Sequence, residues 1–218
     1  MRRQVPADIT TSTLSQGTPF YTSTLNRAAE LRSDAKFLEE AIDSSRAKAA
    51  PVWEGKSLIS EGAAALPLLR DVISEGPIAT EDLIFLGLAD NGDPIFAVEI
   101  PTQEMAAQVE DLSSEARFAQ LRAEGPSLAM QQAALLGLAR SMVLWSAGQR
   151  FCGACGAATA PYRAGHARKC TGAECSRRCY PRLDPAIIVQ TICGDFCLLG
   201  HNKRWVDGRY SLLAGFAE

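Results

Sequence analysis

A pair of apolar runs on either side of a turn dominates the N-terminal half of the chain. Residues 83–88 and 95–100 are largely apolar and flank Asp90-Asn91-Gly92-Asp93. An Asn-Gly pair supplies the positive backbone φ angles that a tight type I′ turn requires. The pattern predicts an antiparallel hairpin.

A long amphipathic helix is predicted downstream of this hairpin. The apolar positions that share one helical face recur at spacings of 7, 3, 4 and 3, and they are Leu128, Leu135, Leu138, Met142 and Trp145. Ser127 is the candidate N-cap, and the helix is expected to end near Gly148. Such a stripe is more typical of core than of a cofactor site, so we expect it to pack on the hairpin.

The remaining pattern mixes helices and strands. Short polar helices are predicted over residues 25–48, a brief strand at Leu58-Ile59, and helices over residues 104–112 and 114–122. The first 26 residues suggest an arm or a short strand. Two strands are predicted around Gly194-Asp195, over residues 186–193 and 196–199, and a third begins at Tyr210. The fold class that follows is α+β.

Charge and cysteine content are both uneven along the chain. All seven cysteines lie between Cys152 and Cys197, which is not typical of a disulfide-stapled secreted protein. The net charge is -3, but residues 150–182 sum to +6, which leaves -9 for the rest. A protein that binds nucleic acid over its whole surface is disfavoured, whereas a local basic patch is allowed. No apolar run is long enough for a membrane span or an export signal, so a cytoplasmic location is expected.

Four of the cysteines have the spacing of a metal site. Cys152-x2-Cys155 and Cys170-x4-Cys175 are separated by fourteen residues. Four thiolates on two tight turns close a tetrahedron around Zn²⁺ and leave no open coordination position, so the predicted zinc is structural. Gly153 and Gly156 are expected to allow the first turn, and Gly172 is expected to serve the second pair.

Three cysteines and both histidines lie outside this predicted metal site. Cys179 is a possible substitute for Cys175 as fourth ligand, although we rank it second. Cys193 and Cys197 lie in apolar strands and are expected to be buried. His166 and His201 lie in polar segments and are expected to be exposed.

Three motifs resemble a known family. The segments Phe151-Cys-Gly-Ala-Cys-Gly156, Tyr180-Pro-Arg-Leu-Asp-Pro-Ala-Ile-Ile-Val189 and Tyr210-Ser-Leu-Leu-Ala-Gly-Phe-Ala-Glu218 closely resemble the NADH pyrophosphatases of the Nudix hydrolase superfamily. The resemblance is specific over roughly residues 138–218. It implies an N-terminal α+β domain over residues 1–148, a four-cysteine zinc ribbon over 149–181, and the first β-strands of an incomplete Nudix domain over 182–218. It also implies a homodimer, to which the apolar stretch from Ile187 to Ile192 would contribute an exposed edge.

The resemblance implies a reaction as well. Members of the family use Mg²⁺ or Mn²⁺ to hydrolyse the pyrophosphate of NADH or NAD⁺ to nicotinamide mononucleotide and AMP, and some remove NAD caps from RNA. Clustered carboxylates in the Nudix box hold those metal ions. No R-E-x-x-E-E string occurs in the 218 residues, so this chain alone is expected to be inactive. It is expected to be either a fragment of a longer gene product or a natural truncation.

Four residues match family positions that contact substrate or metal. Phe216 matches an aromatic residue that stacks on a base, and Tyr180 matches a residue that closes over the same base from the partner subunit. The backbone carbonyl of Ala214 matches a ligand of the catalytic Mg²⁺ or Mn²⁺. Arg122 matches more loosely an arginine that reaches the substrate, and a solvated arginine at a helix end is an equally good interpretation.

A rival hypothesis is a zinc-ribbon module that binds RNA or a protein partner. Counting four thiolates and one Zn²⁺ as -2 leaves the basic segment near +4, which would attract a polyanion. The reading frame beyond Glu218 discriminates the two hypotheses, because a Nudix box there favours the hydrolase and an immediate stop codon favours the module.

Overall fold

The computed structural model of the protein describes residues 24–217, so nearly all of the predicted N-terminal arm lies outside the described residues. The chain divides into two compact units, Met1–Tyr180 and Pro181–Glu218. The first unit contains both the segment predicted as an α+β domain and the segment predicted as a zinc ribbon. None of the helices in residues 24–217 is long and apolar enough to cross a membrane.

Over residues 24–180, the first unit combines one main sheet, five α-helices and a small second sheet. Its helices are α1 (Ala35–Asp43), α2 (Leu69–Ser74), α3 (Gln103–Asp111), α4 (Leu121–Glu124) and α5 (Met130–Gly148). Short 3-10 segments cover Ala29–Ser33, Thr80–Asp82 and Gly125–Ser127. Its strands are β1 (Lys48–Trp53), β2 (Lys56–Ser60), β3 (Ala63–Ala64), β4 (Ile84–Leu88), β5 (Pro94–Glu99), β6 (Ala116–Ala119), β7 (Thr159–Tyr162), β8 (Ala167–Cys170) and β9 (Arg178–Cys179).

The main sheet has the order β3-β2-β1-β5-β4, and β6 also pairs with β2. β1 and β5 run parallel, and the other neighbours are antiparallel. Glu54 and Gly55 join β1 to β2 with φ angles of 49° and 71°, which is the left-handed geometry of a two-residue type I′ turn. The predicted hairpin is confirmed as β4 and β5. Its turn is not type I′, because Gly92 has a φ of 82° but Asn91 does not have a positive φ.

Alternate residues of β5 face two different layers of helices. Ile95 and Ala97 pack in a cluster with Ala139 and Met142 of α5, whereas Phe96 belongs to the cluster formed with α2 and α3 on the other face. This alternation follows from the two-residue period of a strand. The sheet therefore lies between α5 and the shorter helices, and the α+β class is confirmed.

The start of α5 differs from the prediction. Ser127 is not its N-cap, since the cap is Ala129 and no side chain caps the helix; the Ser127 hydroxyl instead donates to the carbonyl of Glu124 at 2.7 Å. Leu128 lies before the helix and packs with Ile59 and Leu121 in a separate cluster. The predicted end at Gly148 and the packing of the apolar face on the hairpin are confirmed.

Residues 114–122 were predicted as a helix, but they form β6 followed by α4. Glu115 adopts a φ of 53°, which interrupts any helix at this point. Phe118 lies opposite Leu58 of β2, and its backbone N–H donates to the Glu110 carboxylate at 2.6 Å. Pairing with β2 buries Phe118 and outweighs the helical propensity of its neighbours.

Strand β1 was not predicted because it contains Pro51. The ladder between β1 and β2 begins only at Val52. The N–H of Ala49 donates to the carbonyl of Pro67. The nitrogen of Pro51, two residues further along, points to the same side of β1 because a strand has a two-residue period. At Pro51 the pairing with β2 has not yet begun. A proline is tolerated where no ladder hydrogen bond is required of its nitrogen.

The second unit contains two small antiparallel pairs. Strand β10 (Ala186–Val189) pairs with β13 (Leu213–Phe216), and β11 (Ile192–Cys193) pairs with β12 (Phe196–Cys197). The predicted strand over residues 186–193 is thus divided in two, and the third strand begins at Leu213 rather than Tyr210. The prediction that Cys193 and Cys197 are buried is wrong, since both are exposed. No helix of the described part of this unit covers their pair of strands.

Candidate metal centre and substrate-binding residues

The sulfurs of Cys152, Cys155, Cys170 and Cys175 converge, and all four lie within 4.8 Å of one another. The sulfur of Cys152 is 3.8 Å from that of Cys175, and the sulfur of Cys155 is 3.4 Å from that of Cys170. A tetrahedron with zinc–sulfur distances of about 2.3 Å has edges of about 3.8 Å. The four side chains therefore fit a zinc ion.

Backbone hydrogen bonds shape the two turns that present these sulfurs. The carbonyl of Cys152 accepts from the N–H of Gly156 at 2.8 Å, and the carbonyl of Gly172 accepts from that of Cys175 at 3.0 Å. Gly156 has a φ of 73°, whereas Gly153 is not in the left-handed region. A Cβ on Gly172 would lie 3.2 Å from Ala157 and 3.4 Å from the Cys170 sulfur, so glycine eases the close approach in the second turn.

The surroundings of the sulfurs lower the pKa of one cysteine thiol in the cluster and raise that of another. The N–H groups of Ala154 and Cys155 lower the pKa of the Cys152 thiol to about 6. The Gly172 N–H also lowers the pKa of Cys170, but burial and the neighbouring sulfurs outweigh it and raise that pKa to about 12. Thiolates this close repel one another, and a divalent cation between them removes the repulsion.

Cys179 is not part of the cluster. It lies opposite Arg168 in the pairing of β8 with β9 and carries a free thiol. The ranking of Cys175 above Cys179 as the fourth ligand agrees with this arrangement. Among residues 24–217, these four cysteines are the only group of three or more His, Cys, Asp or Glu side chains that could hold a metal ion.

The turn between β7 and β8, residues 163–166, seats the small sheet on the main one. The carbonyl of Ala164 accepts from the N–H of Phe85 at 3.1 Å, and the Nε2 of His166 donates to the carbonyl of Phe85 at 2.6 Å. A Cβ on Gly165 would lie 2.7 Å from the Ile84 side chain. The turn thus continues the hydrogen bonding of the main sheet at the outer edge of β4.

His166 is half-buried, so the prediction that it is exposed is wrong. Burial lowers its pKa to about 4, and the charges of Arg32, Arg27 and Arg163 also lower it. The ring is neutral at physiological pH and acts as a hydrogen-bond donor to the sheet. His201, by contrast, is exposed as expected, and its Nδ1 lies 2.8 Å from the carbonyl of Arg209.

Arg168 is a buried cation that links β8 to β7 and α5. It is 7% exposed, and it donates to the hydroxyl and the carbonyl of Thr159 at 2.7 and 2.8 Å and to the hydroxyl of Ser146 at 2.9 Å. Burial lowers its pKa. One of the basic residues counted in the +6 segment is therefore inside the protein and adds little to its surface charge.

The residues predicted to contact substrate lie in both units. Phe216 and Ala214 are on β13 in the second unit, where Ala214 lies opposite Ile188 and the Phe216 side chain is 76% exposed. Tyr180 ends the first unit and is 51% exposed, and Arg122 is exposed on α4.

Comparisons with known proteins agree on one family. The model of the family described as NADH pyrophosphatase-like rudimentary NUDIX domain matches residues 46–145. An NAD-capped RNA hydrolase NudC of Pseudomonas syringae pv. syringae is 36% identical over 127 residues, and the NAD-capped RNA hydrolase NUDT12 of Homo sapiens is 38% identical over 96 residues. These matches support the NADH pyrophosphatase family of Nudix hydrolases for this chain.

The shared regions differ in extent. The match to NudC covers 58% of this chain and 42% of NudC, and the match to NUDT12 covers 40% and 21%. Nudix hydrolase 19, chloroplastic, of Arabidopsis thaliana is 34% identical over 148 residues, which are 66% of this chain and 32% of that protein. The chain thus spans less than half the length of these three relatives.

The match over residues 46–145 explains the architecture of the first unit. Motifs after residue 138 indicated the family, whereas the family model matches the segment before the cysteines. That segment is the sheet between α5 and the shorter helices.

Proposed function

We propose that this chain is part of an NAD(H) diphosphatase, which hydrolyses the pyrophosphate of NADH or NAD⁺ to nicotinamide mononucleotide and AMP and also acts on NAD-capped RNA. Family membership and the names of the relatives NudC and NUDT12 support the proposal. The structural observation that carries it is the pairing of β10 with β13, which presents Phe216 as an exposed aromatic side chain beside Ala214.

In this proposal the four cysteines hold a structural zinc ion. The closed tetrahedron leaves no position for substrate, so this zinc supplies no Lewis acid to the reaction. Residues 1–148 are the N-terminal domain, 149–181 the ribbon, and 182–218 the first strands of a Nudix domain. The division of the chain after Tyr180 supports the last boundary.

The aromatic side chains are assigned to base recognition. An exposed Phe216 and Tyr180 can each stack on a base, and such a contact contributes about 1 to 3 kcal/mol. Tyr180 would act from the partner subunit of a homodimer, and the exposed apolar side chains of Ile187, Ile188 and Val189 support a dimer. Arg122 would reach the substrate from α4. We also propose a cytoplasmic location for this protein.

Hydrolysis requires Mg²⁺ or Mn²⁺ in this family's chemistry, and the described residues do not fit such a site. Besides Ala214, whose carbonyl is one proposed ligand, no group of three or more carboxylates converges within residues 24–217. The R-E-x-x-E-E string is also missing from the 218 residues. We therefore propose that this chain alone binds nucleotide weakly and does not turn it over.

The test is AMP release from NADH in the presence of Mg²⁺ or Mn²⁺. It compares the 218-residue chain with a longer product of the same gene that carries about a hundred further residues, which is a typical domain length. The longer protein is expected to hydrolyse NADH and the shorter one is not. Equal turnover by both would place the catalytic machinery within residues 1–218, and inactivity of a longer protein that contains a Nudix box would refute the proposed reaction.

A second candidate function is binding of RNA by the ribbon. Lys169 lies opposite Arg178 in the pairing of β8 with β9, and the Arg178 guanidinium lies 5.0 Å from the centre of the Tyr162 ring. Exposed cations beside an aromatic ring favour single-stranded nucleic acid. RNA binding without hydrolysis of NADH or of the cap, in both proteins of the turnover assay, would favour this function.

A further inference from the structure

A cleft of about 780 Å³ lies between α1 and the turn of the ribbon, within the first unit. The apolar side chains of Leu38 and Ile42 line it from α1, and Tyr162 and Arg163 line it from the ribbon. Arg32 also lines the cleft. The volume is in the range of sites for small molecules, which is roughly 300 to 1,000 Å³.

Arg32 and Arg163 line this cleft, and Arg27 lies close to Arg32. Arg27 and Arg163 are close enough to Arg32 to lower its pKa, after the larger effect of burial. None of the seven ion pairs among residues 24–217 includes any of the three. The carboxylate that acts on Arg32 is that of Glu30, which raises its pKa but makes no ion pair with it.

The hydrogen bonds of this cluster use neutral acceptors. The Nε of Arg27 donates to the carbonyl of Leu86 at 3.1 Å, and the Nη2 of Arg32 donates to the carbonyl of Arg27 at 3.2 Å. The Nε of Arg32 is buried and has no hydrogen-bond partner among the described residues. Like charges held together without an anion oppose folding, so the arrangement is suited to an anionic ligand.

His166 adds no competing charge to the cluster. Its ring is neutral and already donates to Phe85. The arginines therefore provide a cationic end with guanidinium groups, whose forked N–H donors match the oxygens of phosphate.

The rest of the cleft has the opposite charge. Glu39 and Asp43 line it from α1, and Glu81 lines it from the 3-10 segment Thr80–Asp82. None of these carboxylates takes part in an ion pair among residues 24–217. An extended polyanion such as RNA would be repelled here, whereas hydroxyl groups could donate to the carboxylates.

We propose that this cleft binds a small sugar phosphate or nucleoside monophosphate, with the phosphate on Arg32 and Arg163 and the hydroxyl-bearing part towards Glu39 and Asp43. The site lies wholly within the first unit. It is separate from Phe216 and Ala214 and does not depend on hydrolysis of NADH.

The test is a titration of the ¹⁵N-labelled chain with ribose 5-phosphate, followed by NMR. Saturable shifts are expected for the amides of Arg163, Ala164 and Gly165, and inorganic phosphate should compete while ribose alone should not bind. Arg163→Gln should weaken binding about tenfold, which is the effect of one lost hydrogen bond to a charged group. Arg70→Gln is the matched control, because Arg70 is an exposed arginine outside the cleft.

Further variants separate this site from the proposed substrate site. Arg32→Gln should weaken binding as well, and a thermal melt checks that the fold persists. Phe216→Ala should bind ribose 5-phosphate as the unaltered chain does; loss of binding in that variant would assign the phosphate to the second unit instead. The proposal is overturned if no saturable shift occurs, if Arg163→Gln binds unchanged, or if single-stranded RNA displaces the sugar phosphate.

Discussion

The environment of single cysteines affects how readily the cluster of four sulfurs holds a metal ion. Cys152 sits where two backbone N–H groups lower the pKa of its thiol to about 6, so it supplies a thiolate at neutral pH. The other sulfurs lie too close for several charges without a cation. Repulsion between the thiolates therefore destabilises the folded ribbon until a metal ion binds. Folding of the ribbon and metal binding are thus coupled.

The first prediction concerns the fourth ligand. Cys175→Ser should lose the zinc, which is about one ion per chain in the unaltered protein, and should lower the melting temperature. Elemental analysis of the purified protein measures the metal. Cys179→Ser is the control, because Cys179 is outside the cluster. Full zinc content in Cys175→Ser, together with loss in Cys179→Ser, would show that Cys179 is the ligand.

The second prediction concerns His166 and pH. Its pKa is about 4 in the folded protein, against 6.5 for an unperturbed imidazole, so the unfolded chain binds an extra proton between these values. The free energy of unfolding therefore falls as pH falls from 6.5 towards 4, by at most about 1.4 kcal/mol per pH unit, and solvent screening of the partly exposed ring reduces this.

His166→Gln removes that contribution, since glutamine can still donate to Phe85 but does not titrate. Chemical denaturation at several pH values between 6.5 and 5 should give a shallower pH dependence for the variant than for the unaltered chain. Zinc release at low pH affects both proteins and cancels in the comparison. Parallel pH dependences would contradict the burial of a neutral ring at this position.

The chemistry of single residues was predictable only where it is local. Four cysteines within 24 positions can be recognised from their spacing, and the structure brings their sulfurs together. Arg32 and Arg163 are 131 positions apart, and no pattern connects them before the ribbon turn packs beside α1. Arg168 counted as surface charge in the sequence because its hydroxyl partners, Thr159 and Ser146, become apparent only in the fold.

At the scale of elements, the junction between the ribbon turn and β4 is the main contact that the sequence did not reveal. Arg163, Ala164 and Gly165 have φ angles of 53°, 49° and 82°. This run of left-handed residues turns the chain sharply, so that Ala164 can accept from Phe85 while Gly165 lies against Ile84. The position of the ribbon on the sheet depends on this turn.

The third prediction tests that junction. Gly165→Ala combines a left-handed φ with a contact of 2.7 Å to Ile84, so it should lower the free energy of unfolding by about 2 to 4 kcal/mol. Gly62→Ala is the matched control, because Gly62 has a φ of 74° and nothing within 4 Å of its Cβ position. It should lose only about 1 kcal/mol. Equal losses in urea denaturation would mean that the turn does not press on β4.

Elements with a strong period were predicted, and those set by distant pairing were not. The hairpin of β4 and β5 and the apolar face of α5 follow from alternation and helical spacing in the sequence. Strand β6 depends on its pairing with β2, which lies about sixty residues earlier in the chain. Strand β1 contains Pro51, whose nitrogen lies where no ladder hydrogen bond is required. The sequence does not show which position of a strand can accept a proline, so β1 was not predicted.

For the molecule as a whole, the two units differ in how far they bury their apolar side chains. The first unit buries both faces of its sheet under helices. The second exposes large apolar side chains on its strands, among them Ile188, Ile192 and Phe196. The exposed apolar edge from Ile187 to Ile192 was predicted from the sequence, but the exposure of Cys193 and Cys197 was not. Alternation alone does not say which layer covers a strand.

The closed outer edge of β4 has a consequence for how this protein fares when metal is scarce. Asn26 pairs with Leu88, and the ribbon turn takes up both backbone groups of Phe85. Without zinc the turn has no folded ribbon behind it, and the edge strand is left with free donors and acceptors beside apolar side chains. Such an edge is a template for intermolecular strand pairing. We therefore expect removal of zinc to promote aggregation of these chains.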